Sequence, residues 1–356
     1  MNQLGRLFSV TSFGESHGAA VGCVIEGCPA GIPVNFDQIQ YHVDRRKTGQ
    51  HSFSSPRKES DKVQVLSGIF EGKTLGSPIA LLIENADARS SDYDALQSVF
   101  RPGHADWTNQ LKYGHRDHRG GGRSSIRITA PMVAAGAIAR QLLQQVASID
   151  FNVFVTQIGN VFTPMIDADS ETIESSPLRC PDYEATQAML SEIALCQEMG
   201  DTLGGKIHCC IKGVPAGWGE PVFNKVHAAL GHAMLSINTV KGVSFGEGFD
   251  AARQRGSEHN DQFVYQEGQL KTATNKAGGI LGGITTGAPI HMDIAFKPIS
   301  SIQQKQSAAQ LDGTITPLEI GGRHDVCAVP RAVPIVEAYI AIILADFYLH
   351  QQLQLQ

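Results

Sequence analysis

The densest chemistry in the chain is HRDHRGGGRSSIR, residues 115–127. It sets Arg116, Arg119, Arg123 and Arg127 beside His115, His118, three glycines, Ser124 and Ser125. Arginine forks grip phosphate and carboxylate bidentately. Glycines let backbone approach a ligand closely, and a helix N-terminus attracts anions. The stretch runs into APMVAAGAIARQLLQQV, which reads as a helix with Pro131 near its first turn. A small phosphorylated ligand is the reading these residues favour, and Arg101, His104 and Lys112 add to it.

Four more loops have the same character. FGESHG (13–18) carries Ser16 and His17, and RPGHAD (101–106) carries His104. KPISS spans Lys297, Pro298, Ile299, Ser300 and Ser301. GGRHDVCAVPRAVP (321–334) carries Arg323, His324, Asp325 and Arg331. Each alone reads equally well as a turn. Together they suggest one convergent site for a polyanionic ligand.

Competing readings fail on context. His115 and His118 flank Asp117, but Arg116 and Arg119 would repel a divalent cation, and no second ligand pair stands nearby; no metal is expected. RGGGRSS also suits a single-strand RNA binder, yet it occurs once, in a chain of net charge −6. An RNA-binding protein stays as an alternative of another class, and no nucleic-acid partner is expected. GDTLGGKI (200–207) has phosphate-loop spacing, but Ile207 stands where Ser or Thr should meet Mg²⁺. GEGFDA (246–251) lacks the helix a dinucleotide fingerprint requires.

The elements that must hold these loops read as α+β. RLFSVTSFG, AAVGCVIEG, KVQVLSGIFEG, SPIALLIEN, FNVFVTQIGNVF and GGKIHCCIKGV are strand candidates. AGGILGGITTGAPIHMDIAFKPISS adds glycine-rich strands. NFDQIQYHVDRR has helical spacing with Asn35 as N-cap. EPVFNKVHAALGHAMLSI is another helix, and a last one begins near Pro334. Short turns between strands favour antiparallel pairing. The expectation is one domain over 1–356, with a long polar loop at about 47–61 and a C-terminal helix from about 334.

With 356 residues and 42 % hydrophobic content, the chain can bury a sizeable core. Its seven cysteines, at 23, 28, 180, 196, 209, 210 and 327, form no C-x-x-C pair. Reduced thiols follow. No signal peptide is legible. AVPIVEAYIAIILADFYL is interrupted by Glu337 and Asp346 and reads as too short to span a bilayer. A cytoplasmic protein without a membrane partner is expected.

In order along nearly the whole chain, GESHGAAVGCVIEGCP, FRPGHAD, GGGRSSIRITAPMVAAGAI, SINTVKG, AGGILGG, KPISS and RHDVCAVPRAVPIVEAY resemble the chorismate synthase family. The resemblance implies a β-α-β sandwich, typically a homotetramer. It implies an anti 1,4-elimination of phosphate from 5-enolpyruvylshikimate 3-phosphate, requiring reduced FMN although there is no net redox change; NADPH is used by some members. It assigns His17 to protonating the leaving phosphate and His104 to the reduced flavin. Asp325 then acts near flavin N5, with Ser16 and Ser125 as relays. Flavin contacts fall on Arg123, Ser124, Ser125, Asn238, Thr239, Gly282, Lys297, Pro298, Ile299, Ser300, Ser301 and Arg323. Substrate anions fall to Arg46, Arg127 and Arg331. The chain departs at Ser52, where the family often has Arg, and at Ile126 and Ile128, where it usually has Ala and Glu. His51 or Arg57 could replace the first, while loss of Glu at 128 removes a partner for Arg127. A flavin-binding member with weak turnover is the alternative these departures motivate.

Overall fold

Alternating apolar strands stack two antiparallel sheets of five strands each on opposite sides of a helical layer. The computed structural model describes residues 2–50, 53–54, 60–86, 96–320 and 325–355. Elements are numbered along the chain. The first sheet contains β1 (Gln3–Leu4), β2 (Ser9–Gly14), β3 (Ala20–Glu26), β4 (Gln64–Val65) and β7 (Ile79–Glu84), ordered β1-β2-β3-β7-β4. Its register sets Val21, Cys23 and Ile25 opposite Ile83, Leu81 and Ile79. All six are fully buried, on the face a period of two predicts.

The second sheet contains β9 (Asp150–Ile158), β10 (Val161–Phe162), β11 (Gly205–Lys212), β12 (Val240–Phe245) and β17 (Ile290–Phe296), ordered β10-β9-β11-β17-β12. Ile207, Cys209 and Ile211 pair with Ile294, Met292 and Ile290 and are buried. Three hairpins stand outside the sheets: β5/β6 (Ile69–Phe70, Lys73–Thr74), β13/β14 (Phe263–Gln266, Gln269–Thr272) and β15/β16 (Ile280–Leu281, Ile284–Thr285). A small sheet joins β8 (Val99–Phe100), β18 (Gln306–Gln310) and β19 (Ile315–Leu318).

Three helices fill the middle: α1 (Phe36–Arg46), α3 (Thr129–Leu143) and α8 (Val329–Gln354). The others are α2 (Asp106–Tyr113), α4 (Ser170–Ser175), α5 (Tyr183–Glu198), α6 (Val226–Leu235) and α7 (Gly256–His259). Helix α3 lies on the first sheet, α8 lies on the second, and the two pack on each other with α1 against both. Their approach is close enough that a Cβ on Gly136 would lie 2.4 Å from Cβ of Ala338. Asn35 caps α1 as expected, its side chain accepting the Gln38 N–H at 3.1 Å.

Buried charge ties this layer together. Glu337 on α8 accepts both Nη atoms of Arg45 at 2.7 and 2.8 Å, and Arg140 of α3 at 2.9 Å. Burial pushes the Glu337 carboxyl up, but Arg45 and Arg140 outweigh it and hold it at about 2. Arg45 also binds Glu174 at 2.6 Å. At the far end of α8, Asp346 accepts the backbone N–H groups of Arg6, Leu7 and Phe8 at 3.1, 2.6 and 3.0 Å, fixing the turn between β1 and β2.

Several boundaries differ from the sequence reading. Helix α8 begins at Val329, five residues before Pro334. Proline inside a helix leaves the carbonyl four residues back without its donor; here Arg179 supplies one, Nη1 donating to the Pro330 carbonyl at 2.7 Å. At 26 residues, α8 is long and apolar enough to cross a membrane, so the length argument fails. Yet 89 % of its most apolar window is buried within this fold. KVQVLSGIFEG is broken by Gly68, at φ +83, into two short pieces, and α6 starts six residues into its predicted span. Helices α2, α4, α5 and α7 had no sequence assignment. The strand β11 and the short turn and helix after 246 agree with rejecting both nucleotide-loop motifs. Part of the 47–61 loop lies outside the described residues. All seven cysteines are buried and unpaired.

Glu337→Ala leaves Arg45 and Arg140 facing each other without their shared carboxylate. Removing one member of a buried pair typically costs about 3–5 kcal/mol, so thermal or denaturant unfolding should fall by that order. The folded carboxyl titrates below its ordinary 4.5, so its stabilisation is complete above 4.5 and is lost as pH falls toward about 2. Stability of the wild type measured across that window should drop more steeply than that of Glu337→Ala.

Candidate active site

The loops singled out in the sequence meet through a chain of hydrogen bonds. Gly103, in the left-handed region at φ +66, offers its carbonyl to Lys297 Nζ at 2.8 Å and to Ser300 Oγ at 2.7 Å. Lys297 Nζ also donates to Ser300 Oγ at 2.8 Å, and the Lys297 backbone N–H donates to the Thr239 carbonyl at 2.9 Å. Thr239 itself sits at φ 70. A β-branched residue there is a genuine outlier, of the kind that clusters at ligand sites. Next to it, Asn238 Nδ2 donates to the Ser124 carbonyl at 2.8 Å. Ile299 is held by Thr202, whose hydroxyl donates to its carbonyl at 2.6 Å, and Ser301 is buried.

Arg123 braces this loop on β2. Its Nη1 donates to the Gly14 carbonyl at 3.0 Å, and its Nη2 donates to Ser12 Oγ at 2.6 Å. Just beyond that strand, Ser16 Oγ and His17 Nδ1 lie 3.0 Å apart. Gly120 packs closely against the imidazole: a Cβ there would lie 2.1 Å from His17 Nδ1. This close approach is what the first glycine of GGGRSS provides.

His104 is oriented by Asp106. Arg101 grips that carboxylate with Nε and Nη2, both at 2.8 Å. His104 Nδ1 lies 2.9 Å from Asp106 Oδ1 and 3.0 Å from Arg101 Nη2. Burial pushes the Asp106 carboxyl up, yet hydrogen bonds from Arg101 and His104 hold it far below the usual carboxylate range. An ionised carboxylate only accepts and a guanidinium only donates. Nδ1 therefore faces an acceptor and a donor at once, and its tautomer decides which of the two it bonds.

The second half of the site is a buried ionic cluster. Asp61, 1 % exposed, accepts Arg46 Nη2 at 2.8 Å on one oxygen and Arg127 Nη1 on the other. Arg127 is further fixed by Asn85 Oδ1 and the Glu84 carbonyl, at 2.8 and 2.9 Å. Ser125 Oγ accepts the Arg127 backbone N–H at 3.2 Å. Arg331 pairs with Asp325 and donates from Nε to the Arg46 carbonyl at 3.1 Å. Burial raises the Asp61 carboxyl, and Arg46 and Arg127 bring it down to about 2. Burial lowers Arg46 to about 10 against the pull of Asp61. Among the described residues, three guanidiniums here share two carboxylates, a positive excess.

Gly282 stands apart at the exposed tip of β15/β16, and among the described residues no hydrogen bond joins it to these loops. Arg323, together with His51, Ser52, Arg57 and His324, lies outside the described residues. His115 is exposed, and Arg116 ties its loop to the carbonyls of Leu96, Gln97 and Val99 at 2.6, 3.1 and 3.0 Å. Sequence reasoning missed Asp61, Asn85, Arg101's pairing and Asp106's role. Asp106 had a signal, the H-x-D spacing within RPGHAD; Asp61 ends a polar loop and had none. The isoleucine at 128 does not leave Arg127 loose, because Asp61 and Asn85 hold its fork.

Guanidiniums gathered on two buried carboxylates, with Ser125 of the GGGRSS turn accepting the Arg127 backbone N–H, suit a small polyanion. The sequence profile described as chorismate synthase matches residues 8–349. The chain is 52 % identical over 353 residues to chorismate synthase of Porphyromonas gingivalis, covering 98 % of this chain and 96 % of that one. It is 48 % identical over 355 residues to chorismate synthase of Opitutus terrae, covering 99 % and 98 %. A crystal structure of chorismate synthase superposes with a TM-score of 0.77 at 32 % identity, over 98 % of this chain and 93 % of that one. The chain belongs to the chorismate synthase family, whose members are lyases.

Gly120→Ala tests the packing on His17. The added methyl forces the imidazole aside, and small misplacements of reacting groups cost on the order of 10²-fold. Turnover should fall by that order with cooperative unfolding preserved; unchanged turnover would show that the His17 position is not critical.

Proposed function

We propose that this chain eliminates phosphate and one ring hydrogen from 5-enolpyruvylshikimate 3-phosphate, with His17, His104 and Asp325 as its proton carriers. The C–O bond to phosphate and one ring C–H bond break, and a ring C=C bond forms. The observation that carries the reading is the excess of guanidinium over carboxylate around Asp61. A buried positive excess is stabilised by a bound polyanion. Arg46, Arg127 and Arg331 would meet the substrate's phosphate and carboxylates. His17, beside Ser16, would donate a proton to the departing phosphate. Such transfers typically contribute about 10²–10⁴-fold.

The residues fit a phosphorylated flavin. Among the described residues no carboxylate pairs with Lys297, and burial and Lys241 lower its pKa. An anion beside it would favour its charged form. Lys297, Ser300, Thr239, Asn238 and the Ser124–Ser125 turn would hold the FMN. Reduced FMN, when bound, supplies electron density that helps phosphate leave and accepts the ring hydrogen. His104, held beside Asp106, would hold or pass a proton at the ligand's polar edge. Asp325, set by Arg331, would accept one. Ser52, where the family often has arginine, favours flavin reduced elsewhere over NADPH use by this chain. A cytoplasmic homotetramer completes the reading.

Purified protein, substrate and chemically reduced FMN, incubated without oxygen, should yield chorismate; folded protein giving none contradicts the proposal. His17→Ala and His104→Ala should each lower turnover by about 10²–10⁴-fold with circular dichroism unchanged. Full turnover in either variant removes that histidine's role.

A further inference from the structure

We infer that Asp61 is the positioning residue that makes Arg46 and Arg127 one anion-binding unit, an inference that rests on the reaction proposed above. Its carboxylate spans two guanidiniums, one per oxygen, with Arg46 Nη2 at 2.8 Å and Arg127 Nη1 on the other side. All three side chains are buried. Without the carboxylate, two like charges would share one low-dielectric space and move apart.

The backbone is built to deliver this carboxylate. Asp61 sits in the left-handed region at φ 48, uncommon for a residue other than glycine. Gln40 of α1 clamps it there: Nε2 donates to the Asp61 carbonyl at 3.1 Å, and Oε1 accepts the Val63 N–H at 3.0 Å. The same amide nitrogen donates to Asp44 at 2.7 Å, so Gln40 is itself held. Asn85 and the Glu84 carbonyl then fix the remaining face of Arg127. Arg46 keeps one donor over: its Nε is buried and has no hydrogen-bond partner. Here one carboxylate aligns two cations and leaves a positive excess and an open donor. The position of Arg46 also passes to Arg331, which bonds the Arg46 carbonyl, and through it to Asp325.

The test compares wild type, Asp61→Asn and Gln40→Ala in the anaerobic assay with reduced FMN, alongside FMN titration and thermal unfolding. In Asp61→Asn, kcat/KM should fall about 10²-fold, chiefly through a higher KM for the phosphorylated substrate, with FMN affinity unchanged. Gln40→Ala keeps both charges and should raise KM several-fold, again with FMN affinity unchanged. If Asp61→Asn does not fold, Gln40→Ala decides alone. An unchanged KM in folded Asp61→Asn, or in Gln40→Ala where the first variant is unfolded, overturns the inference; so does an equal loss of FMN affinity. A wild type that forms no chorismate overturns the underlying reaction as well, which separates the two failures.

Discussion

The site depends on how α1 ends. Its last two residues are arginines that leave the helix in different directions. Arg45 enters the ionic network of Glu337, Arg140 and Glu174, and Arg46 enters the cluster around Asp61. The last carbonyls of a helix have no intrahelical donor and carry partial negative charge. Here both are taken by guanidiniums: Arg179 Nη2 donates to the Arg45 carbonyl at 3.1 Å, and Arg331 Nε donates to the Arg46 carbonyl at 3.1 Å. The start of α8, the segment after α4 and the end of α1 are thereby locked together. A shift in any one of them moves Arg46.

Buried carboxylates recur as the fasteners of this fold. Glu337 joins three helices, Asp346 holds the first turn, Asp106 aligns Arg101 with His104, and Asp61 aligns Arg46 with Arg127. Such ion pairs are poor sources of net stability because desolvation offsets their attraction. Their directional hydrogen bonds still fix where cations stand. A chorismate synthase must place several cations beside one polyanion, and the packed sandwich supplies rigid supports for doing so.

The candidate loops were legible because glycine, arginine, histidine and serine crowd there. Strands β2, β3, β7, β9 and β11 were legible from β-branched runs, and α1 from its Asn35 cap. The partners were not. Asp61 lies 66 residues from Arg127 in sequence, and no local pattern joins them. The start of α8 was misplaced because Pro334 reads as a helix beginning. Arg179, 151 residues away from Pro330, makes an interior proline tolerable. Helix α5 has a weak apolar periodicity, with Ala185, Met189, Ile193 and Cys196 buried between exposed polar and apolar positions alike. At 128 the missing family glutamate does not leave Arg127 without partners, because Asp61 and Asn85 hold it.

A crystal structure of the protein with 5-enolpyruvylshikimate 3-phosphate and oxidised FMN tests the central claim most directly. The account predicts substrate oxygens within hydrogen-bond distance of Arg46 and Arg127, with those guanidiniums still bridged by Asp61, and the phosphate within reach of His17. Substrate bound elsewhere, or a ligand that displaces Asp61 from both arginines, would contradict it.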